Sequence, residues 1–179
     1  IQLEDQVSPK RCGHFNGKEV IEASEMIGKI KAACDARRNS DTIIMARTDA
    51  AAIHGFDAAV ERAQQYAEAG ADLLFVEAVT SAEHIAALPQ RLKTPQLMNM
   101  VIGGKTPITS TEELAKMGYG IVLYANAALQ GAVAGMQRAL GVLKNEGHIQ
   151  EDPNLVAPFA ERQRLVNKPI WDALEKKYQ

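Results

Sequence analysis

The chain has 179 residues, of which 46% are hydrophobic and 23% charged, the composition of a globular protein with a sizeable core. Twenty basic against twenty-two acidic side chains leave a formal charge of −2, so no global field draws it to nucleic acid or to an anionic membrane. No apolar run reaches the roughly 18 residues that span a bilayer, and the two cysteines, Cys12 and Cys34, are too few for a disulfide framework and predict a reducing cytoplasm.

The chain opens on Ile rather than Met, directly on a strand-like run, "IQLED" (1–5), and an upstream segment is expected before it. The opening has no basic region followed by an apolar stretch, so it is not read as a signal peptide. From Gln6 to a helix start expected near Ser24 there is no clear periodicity, far more than the usual two to six residues of a βα loop. Loops of that length often close over active sites, and a lid is predicted over 7–19. Then follow a helical pattern, "EASEMIGKIKAACDARR", and a second apolar run, "TIIMAR" (42–47). The same alternation repeats: helix "FDAAVERAQQYAEAG", strand "ADLLFVEAV" (71–79), helix "SAEHIAALPQRL", strand "PQLMNMV" (95–101), helix "STEELAKMG", strand "YGIVLYA" (119–125) and helix "NAALQGAVAGMQRALGVLKNEG". Gly70 stands where a helix stop is expected, "TSTEELAKMG" opens with cap residues, and Pro89 is expected to end or kink its helix early. Beyond 150, "FAERQRLVNKPIWDALEKKYQ" is a helical segment with Phe159, Leu165, Ile170, Trp171 and Leu174 on a charged background.

Buried strands alternating with helices predict a parallel sheet with right-handed crossovers, as a (β/α) barrel or an open doubly wound sheet. No G-x-G-x-x-G or P-loop follows a strand, and in "GGKTP" (103–107) Pro107 stands where the P-loop helix must begin. Each run carries polar groups at or near its carboxyl end: Glu4 and Asp5, Arg47 and Asp49, Glu77, Asn99 and Asn126. Barrel enzymes build their sites there. Carboxylates, a guanidinium and an amide together suit a divalent metal and a small carboxylate substrate. In "SPKRCGHFNGKEV", Lys10, Arg11 and His14 surround Cys12 with positive charge that favours a thiolate. Residues alone leave three readings open for this stretch: a reactive thiol, half of a metal site, or a polar turn.

"LEDQVSPKRCGH", "IIMARTDA", "LLFVEA", "NMVIGGKTP" and "GIVLYANAAL", in this order, resemble the isocitrate lyase / phosphoenolpyruvate mutase superfamily over nearly the whole chain. "KRCGH" after "EDQ" resembles its lyase branch, and "NMVIGGKTP" the group that includes 2,3-dimethylmalate lyase, 2-methylisocitrate lyase and oxaloacetate hydrolase. The resemblance implies the C-terminal five βα units of a (β/α)8 TIM-type barrel over 1–150, with a helical extension over 151–179 exchanged between subunits of a homodimer or homotetramer. It implies a Mg²⁺- or Mn²⁺-dependent lyase that splits a 2-hydroxy dicarboxylate or tricarboxylate to pyruvate and a carboxylate. Oxaloacetate hydrolysis or decarboxylation on the same site is the alternative, and an inactive interaction protein is the alternative of another class. By matching motifs Cys12 is the acid/base and His14 and Gly13 contact the substrate carboxylate. Lys10 and Arg11 add charge, Arg47 forks onto the oxoacid carboxylate, and Glu77 and Asn99 hold the other end. Glu4 orients metal-bound water, and the direct metal ligands are expected upstream of Ile1.

Overall fold

The structure is a computed structural model and describes residues 1–13 and 17–179. Runs of Leu, Met, Phe and Val become short parallel strands, of which Leu73–Val76 and Leu97–Asn99 are buried throughout while Ile121 and Leu123 stay exposed. β1 (Gln2–Glu4), β2 (Met45–Thr48) and β3 (Leu73–Val76) pair in that order, and β4 (Leu97–Asn99) pairs with β5 (Ile121–Leu123). A parallel bridge, Leu74 to Gln96, joins β3 to the start of β4. The chain divides into two units, Ile1–Asn126 and Ala127–Gln179.

In the first unit the strands are joined by α1 (Ala23–Ala36), α2 (Ala51–His54), α3 (Phe56–Glu68), α4 (Ala82–Arg91) and α5 (Thr111–Met117). Successive strand residues point to opposite faces. Ala46, Leu74, Val76 and Met98 form one core with Met26 and Ile30 of α1, Ala59, Val60, Ala63 and Tyr66 of α3, Ile85 and Leu88 of α4, and Leu114 of α5. Helices thus cover one face. The opposite face carries Arg47, Phe75 and Asn99, all buried outside that core.

The expected stops are observed. Gly70, at φ 113°, follows α3 while Ala71 N–H donates to Tyr66 O and Gly70 N–H to Ala67 O, and Gly118, at φ 107°, ends α5 the same way. Both have the paired bonds of a Schellman stop, in which glycine takes the left-handed conformation without a Cβ penalty. Ser110 and Glu113 form a reciprocal capping box at the start of α5. Pro89 does not end α4 early: the helix runs on to Arg91 with the proline inside it. The missing N–H would have bonded Ile85 O, and the Tyr119 hydroxyl donates to that carbonyl instead, at 2.7 Å. At the C-terminal end of α4, Leu88 O and the carbonyl of the capping residue Leu92 accept from Gln96 Nε2.

The second unit holds α6 (Ala127–Glu146), α7 (Phe159–Leu165) and α8 (Lys168–Tyr178). The single C-terminal helical segment is two helices, broken where Asn167 turns to φ 55° and caps α8, with Pro169 in the first turn. Among the described residues no helix is long and apolar enough to cross a membrane.

Candidate active site

Parallel strands bring their carboxyl ends to one side of the sheet, so polar residues there converge whatever their separation in sequence. Register decides which meet. Glu4 is level with Arg47 and Arg47 with Phe75, so all three point to the face that the helices leave free. Two residues further along lie Asp49 and Glu77, on the same face by alternation. The offset of 22 between Leu74 and Gln96 recurs between Glu77 and Asn99, whose Nδ2 donates to Glu77 Oε2 at 3.4 Å.

Arg47 is the centre of this cluster. Its Nε and Nη2 donate side-on to Asp49 Oδ2 and Oδ1 at 2.9 and 3.1 Å. Nη2 also lies 3.3 Å from Glu77 Oε2, and Nη1 lies 3.5 Å from Glu4 Oε2. The guanidinium stacks over Phe75, 5.1 Å from the ring centroid. Burial alone would lower its pKa, but the Asp49 hydrogen bond and the charges of Glu77, Asp49 and Glu4 outweigh burial and hold it above its ordinary value.

On the helix-facing side, fully buried Asp5 accepts from Thr48 Oγ1 at 2.7 Å, Asp49 N–H at 3.0 Å, Tyr66 OH at 2.8 Å and Arg62 Nη1 at 3.4 Å. Burial and the Asp5 charge push the Tyr66 hydroxyl well above its ordinary pKa, so it stays a donor. This carboxylate ties β1 to the end of β2 and to α3. Past Glu77, Ala78 adopts φ 56° with its N–H on Glu77 Oε1 at 2.8 Å, a left-handed non-glycine of the kind that collects at functional sites.

The segment after β1 is not free of pairing. Gln6 and Val20 form an antiparallel bridge, Val7 N–H donates to Glu19 O, and Ile21 N–H to Asp5 O. The Gln6 amide bonds both Arg11 O and Arg11 N–H at 2.8 Å. Lys10 reaches Glu4 at 3.4 Å. Gly13 is buried against the cluster: a Cβ there would stand 2.4 Å from Glu77 Cγ and 2.7 Å from Arg47 Nη2, so only glycine fits this approach. Cys12 and Arg11 are exposed. His14 lies outside the described residues, and Asn126 is exposed beyond β5.

The structure thus brings Glu4, Lys10, Gly13, Arg47, Glu77 and Asn99 together, adds Asp49 and Lys18, whose ammonium lies 3.4 Å from Asp49 Oδ1, and sets Asp5 behind them on the helix-facing side, bonded to Asp49 N–H. Asp5 and Asp49 were visible as polar strand ends, although their partners were not. Lys18 carried no sequence signal beyond its place in the loop. Among the described residues no group of three His, Cys, Asp or Glu side chains could hold a metal ion. Asp5 and Asp49 spend their oxygens on the donors above, whereas Glu4 Oε2 is buried without a hydrogen-bond partner, as is Asn99 Oδ1. This donor set fits one water-mediated contact to a cation from Glu4, and does not by itself make a set of direct ligands.

A one-sided parallel α/β unit with its polar cluster at the strand ends defines a class of proteins that build active sites at that rim. The chain belongs to the phosphoenolpyruvate phosphomutase family, whose model matches residues 1–143. It is 46% identical over 178 residues to 2,3-dimethylmalate lyase of Eubacterium barkeri, covering 99% of this chain and 62% of that protein. A crystal structure of 2,3-dimethylmalate lyase, described as a PEP mutase/isocitrate lyase superfamily member, superposes with a TM-score of 0.87 at 37% identity, covering 97% of this chain and 59% of that one. A phosphonopyruvate hydrolase in complex with oxalate and Mg²⁺ superposes with a TM-score of 0.81 at 28% identity, covering 99% and 62%. The chain therefore spans about three fifths of the length of these relatives.

Proposed function

We propose that the protein acts as a carbon–carbon lyase on a small 2-hydroxy dicarboxylate of the 2,3-dimethylmalate type, releasing pyruvate and a carboxylate. The observation that carries this reading is the seat of Gly13, pressed without room for a Cβ between Glu77 and Arg47, which brings the Cys12 loop onto the strand-end cluster. The identity to 2,3-dimethylmalate lyase supports the substrate class.

Among the described residues Glu4, Asp49 and Glu77 face Lys10, Lys18 and Arg47 in equal number, which leaves no surplus positive charge among them for a dianionic substrate. A divalent cation, Mg²⁺ by likeness to the phosphonopyruvate hydrolase complex, would supply that charge, with Glu4 Oε2 holding it through water. Arg47 offers its Nη1–Nη2 edge to a substrate carboxylate in exchange for the looser ion pairs with Glu4 and Glu77 at 3.5 and 3.3 Å, because its hydrogen bonds to Asp49 use Nε and one side of Nη2. Glu77 and Asn99 hold the substrate's far end, where Asn99 Oδ1 has an acceptor to fill. Cleavage is a retro-aldol step. The hydroxyl proton leaves to solvent, the oxygen pair becomes the new C=O bond as the C2–C3 bond breaks, and the bonding pair stays on the departing carbon. The Cys12 thiol protonates that carbon, and the thiolate regains its proton from solvent. A homo-oligomer completes the proposal, supported by the exposed Ile170, Trp171, Leu174 and Tyr178 of α8.

The test is pyruvate release from 2,3-dimethylmalate with Mg²⁺, by the full-length protein and its Cys12→Ser variant. Cys12→Ser should lower kcat by about 100-fold or more with KM little changed, the usual range for loss of a general acid. Turnover of oxaloacetate with no cleavage of the hydroxy acid would overturn the lyase reading, and an unchanged kcat would overturn the role of Cys12.

A further inference from the structure

Lys18 is a buried lysine, with its side chain 3% exposed, on the limb that returns from the Cys12 loop. Its ammonium lies 3.4 Å from Asp49 Oδ1 and donates to Gly13 O. Asp49 does not need it as a counter-charge, because Arg47 already gives Asp49 two hydrogen bonds. Burying an ammonium is costly unless it is paired and hydrogen-bonded, so its place calls for a purpose, and the contact that no other side chain among the described residues makes is the one to Gly13 O. Two ties hold the outgoing limb. The Gln6 amide fixes Arg11 from outside, and Lys18 fixes Gly13 from inside, against Arg47 and Glu77.

We infer that Lys18 is a positioning residue: its ammonium ties the Cys12–Gly13 segment to Asp49 and so sets the height of the acid/base thiol above the Arg47 cluster. Its consequence for turnover rests on the lyase reading, whereas the tie itself does not. Lys18→Met keeps the length and apolar stem of the side chain and leaves Asp49 paired with Arg47, so the sheet and helices are retained. Lys18→Arg restores a charge able to reach both oxygens.

Hydrogen–deuterium exchange on the full-length protein reads the tie without any substrate. In Lys18→Met, amides of residues 7–13 should exchange about tenfold faster or more, while those of β2 and α3 stay within about twofold of wild type, with Lys18→Arg in between. Unchanged protection over 7–13 would overturn the inference. So would a loss of protection spread equally over β2 and α3, which would make Lys18 a support of the fold. The second readout is kinetic: kcat for 2,3-dimethylmalate should fall with KM held within a few-fold. If exchange responds as stated and neither wild type nor variant cleaves the hydroxy acid, the tie stands and the lyase reading fails.

Discussion

Arg47 is held on three sides by the carboxylates of Asp49, Glu4 and Glu77 and on its face by Phe75. That crowding fixes the guanidinium plane before any ligand arrives, which is what a planar fork needs in order to meet a carboxylate with both hydrogen bonds. A lysine cannot reproduce it. An ammonium lacks the planar fork that meets a carboxylate with two parallel hydrogen bonds, and it gives up the planar stacking on Phe75. Arg47→Lys should therefore lower kcat/KM for 2,3-dimethylmalate by about 100-fold, roughly 2.7 kcal/mol of transition-state stabilisation, even though the charge is kept. A kcat/KM within threefold of wild type would show that the fork is not used. At this same scale the sequence was uneven in what it disclosed. Glu4, Arg47, Glu77 and Asn99 stood out because each interrupts or ends an apolar run, where an ionisable or amide group is unexpected without a purpose. Lys18 did not, since a lysine in a polar loop reads as solvated; its burial is set by Asp49, 31 residues further on in the sequence.

Among the elements, α4 shows how a local rule is overridden by a distant partner. Proline inside a helix removes one hydrogen bond and crowds the carbonyl four residues back, here Ile85 O. That carbonyl is filled by Tyr119 OH, which is buried and held above its ordinary pKa by that burial. The cost of Pro89 is thus met from the start of the β5 segment. Tyr119→Phe should destabilise the fold by about 1–3 kcal/mol, the usual cost of a buried acceptor left unsatisfied. Pro89→Ala returns an N–H to the same carbonyl, so Tyr119→Phe should cost less in the Pro89→Ala background. Urea unfolding of the four members of this double-mutant cycle measures the coupling, and strictly additive effects would sink the account. Strands and most helices were legible because a period of 2 or 3.6 and the terminal glycines are local signals. The four residues of α2 are too few to show a period. The survival of α4 past Pro89 and the division at Asn167 depend on contacts or dihedrals that no short window contains.

For the molecule as a whole, α6 poses the largest unanswered burial. Between Ala127 and Leu143 its polar residues are Gln130, Gln137 and Arg138 alone, and a helix apolar on nearly all sides belongs in an interior. Yet no residue of α6 is buried, and Leu129, Val133, Met136, Leu140 and Leu143 are each at least 42% exposed. Their spacing of four, three, four and three residues is that of a helix–helix seam. In the first unit, Ile121 and Leu123 of β5 and Tyr124 just beyond it are exposed as well. Apolar area of this extent seldom stays in water in a stable monomer. The chain of residues 1–179 should therefore sediment as an oligomer, and replacing Leu129, Met136 and Leu140 together by Gln should shift it towards the monomer. The triple replacement removes apolar side chains that are exposed within the chain, so circular dichroism should remain that of the parent while the sedimentation coefficient falls. A parent chain that sediments as a monomer at all concentrations tested would show that this face is tolerated in solution. A triple variant that stays oligomeric would move the contact away from the α6 seam, with the aromatic face of α8 as the next surface to alter.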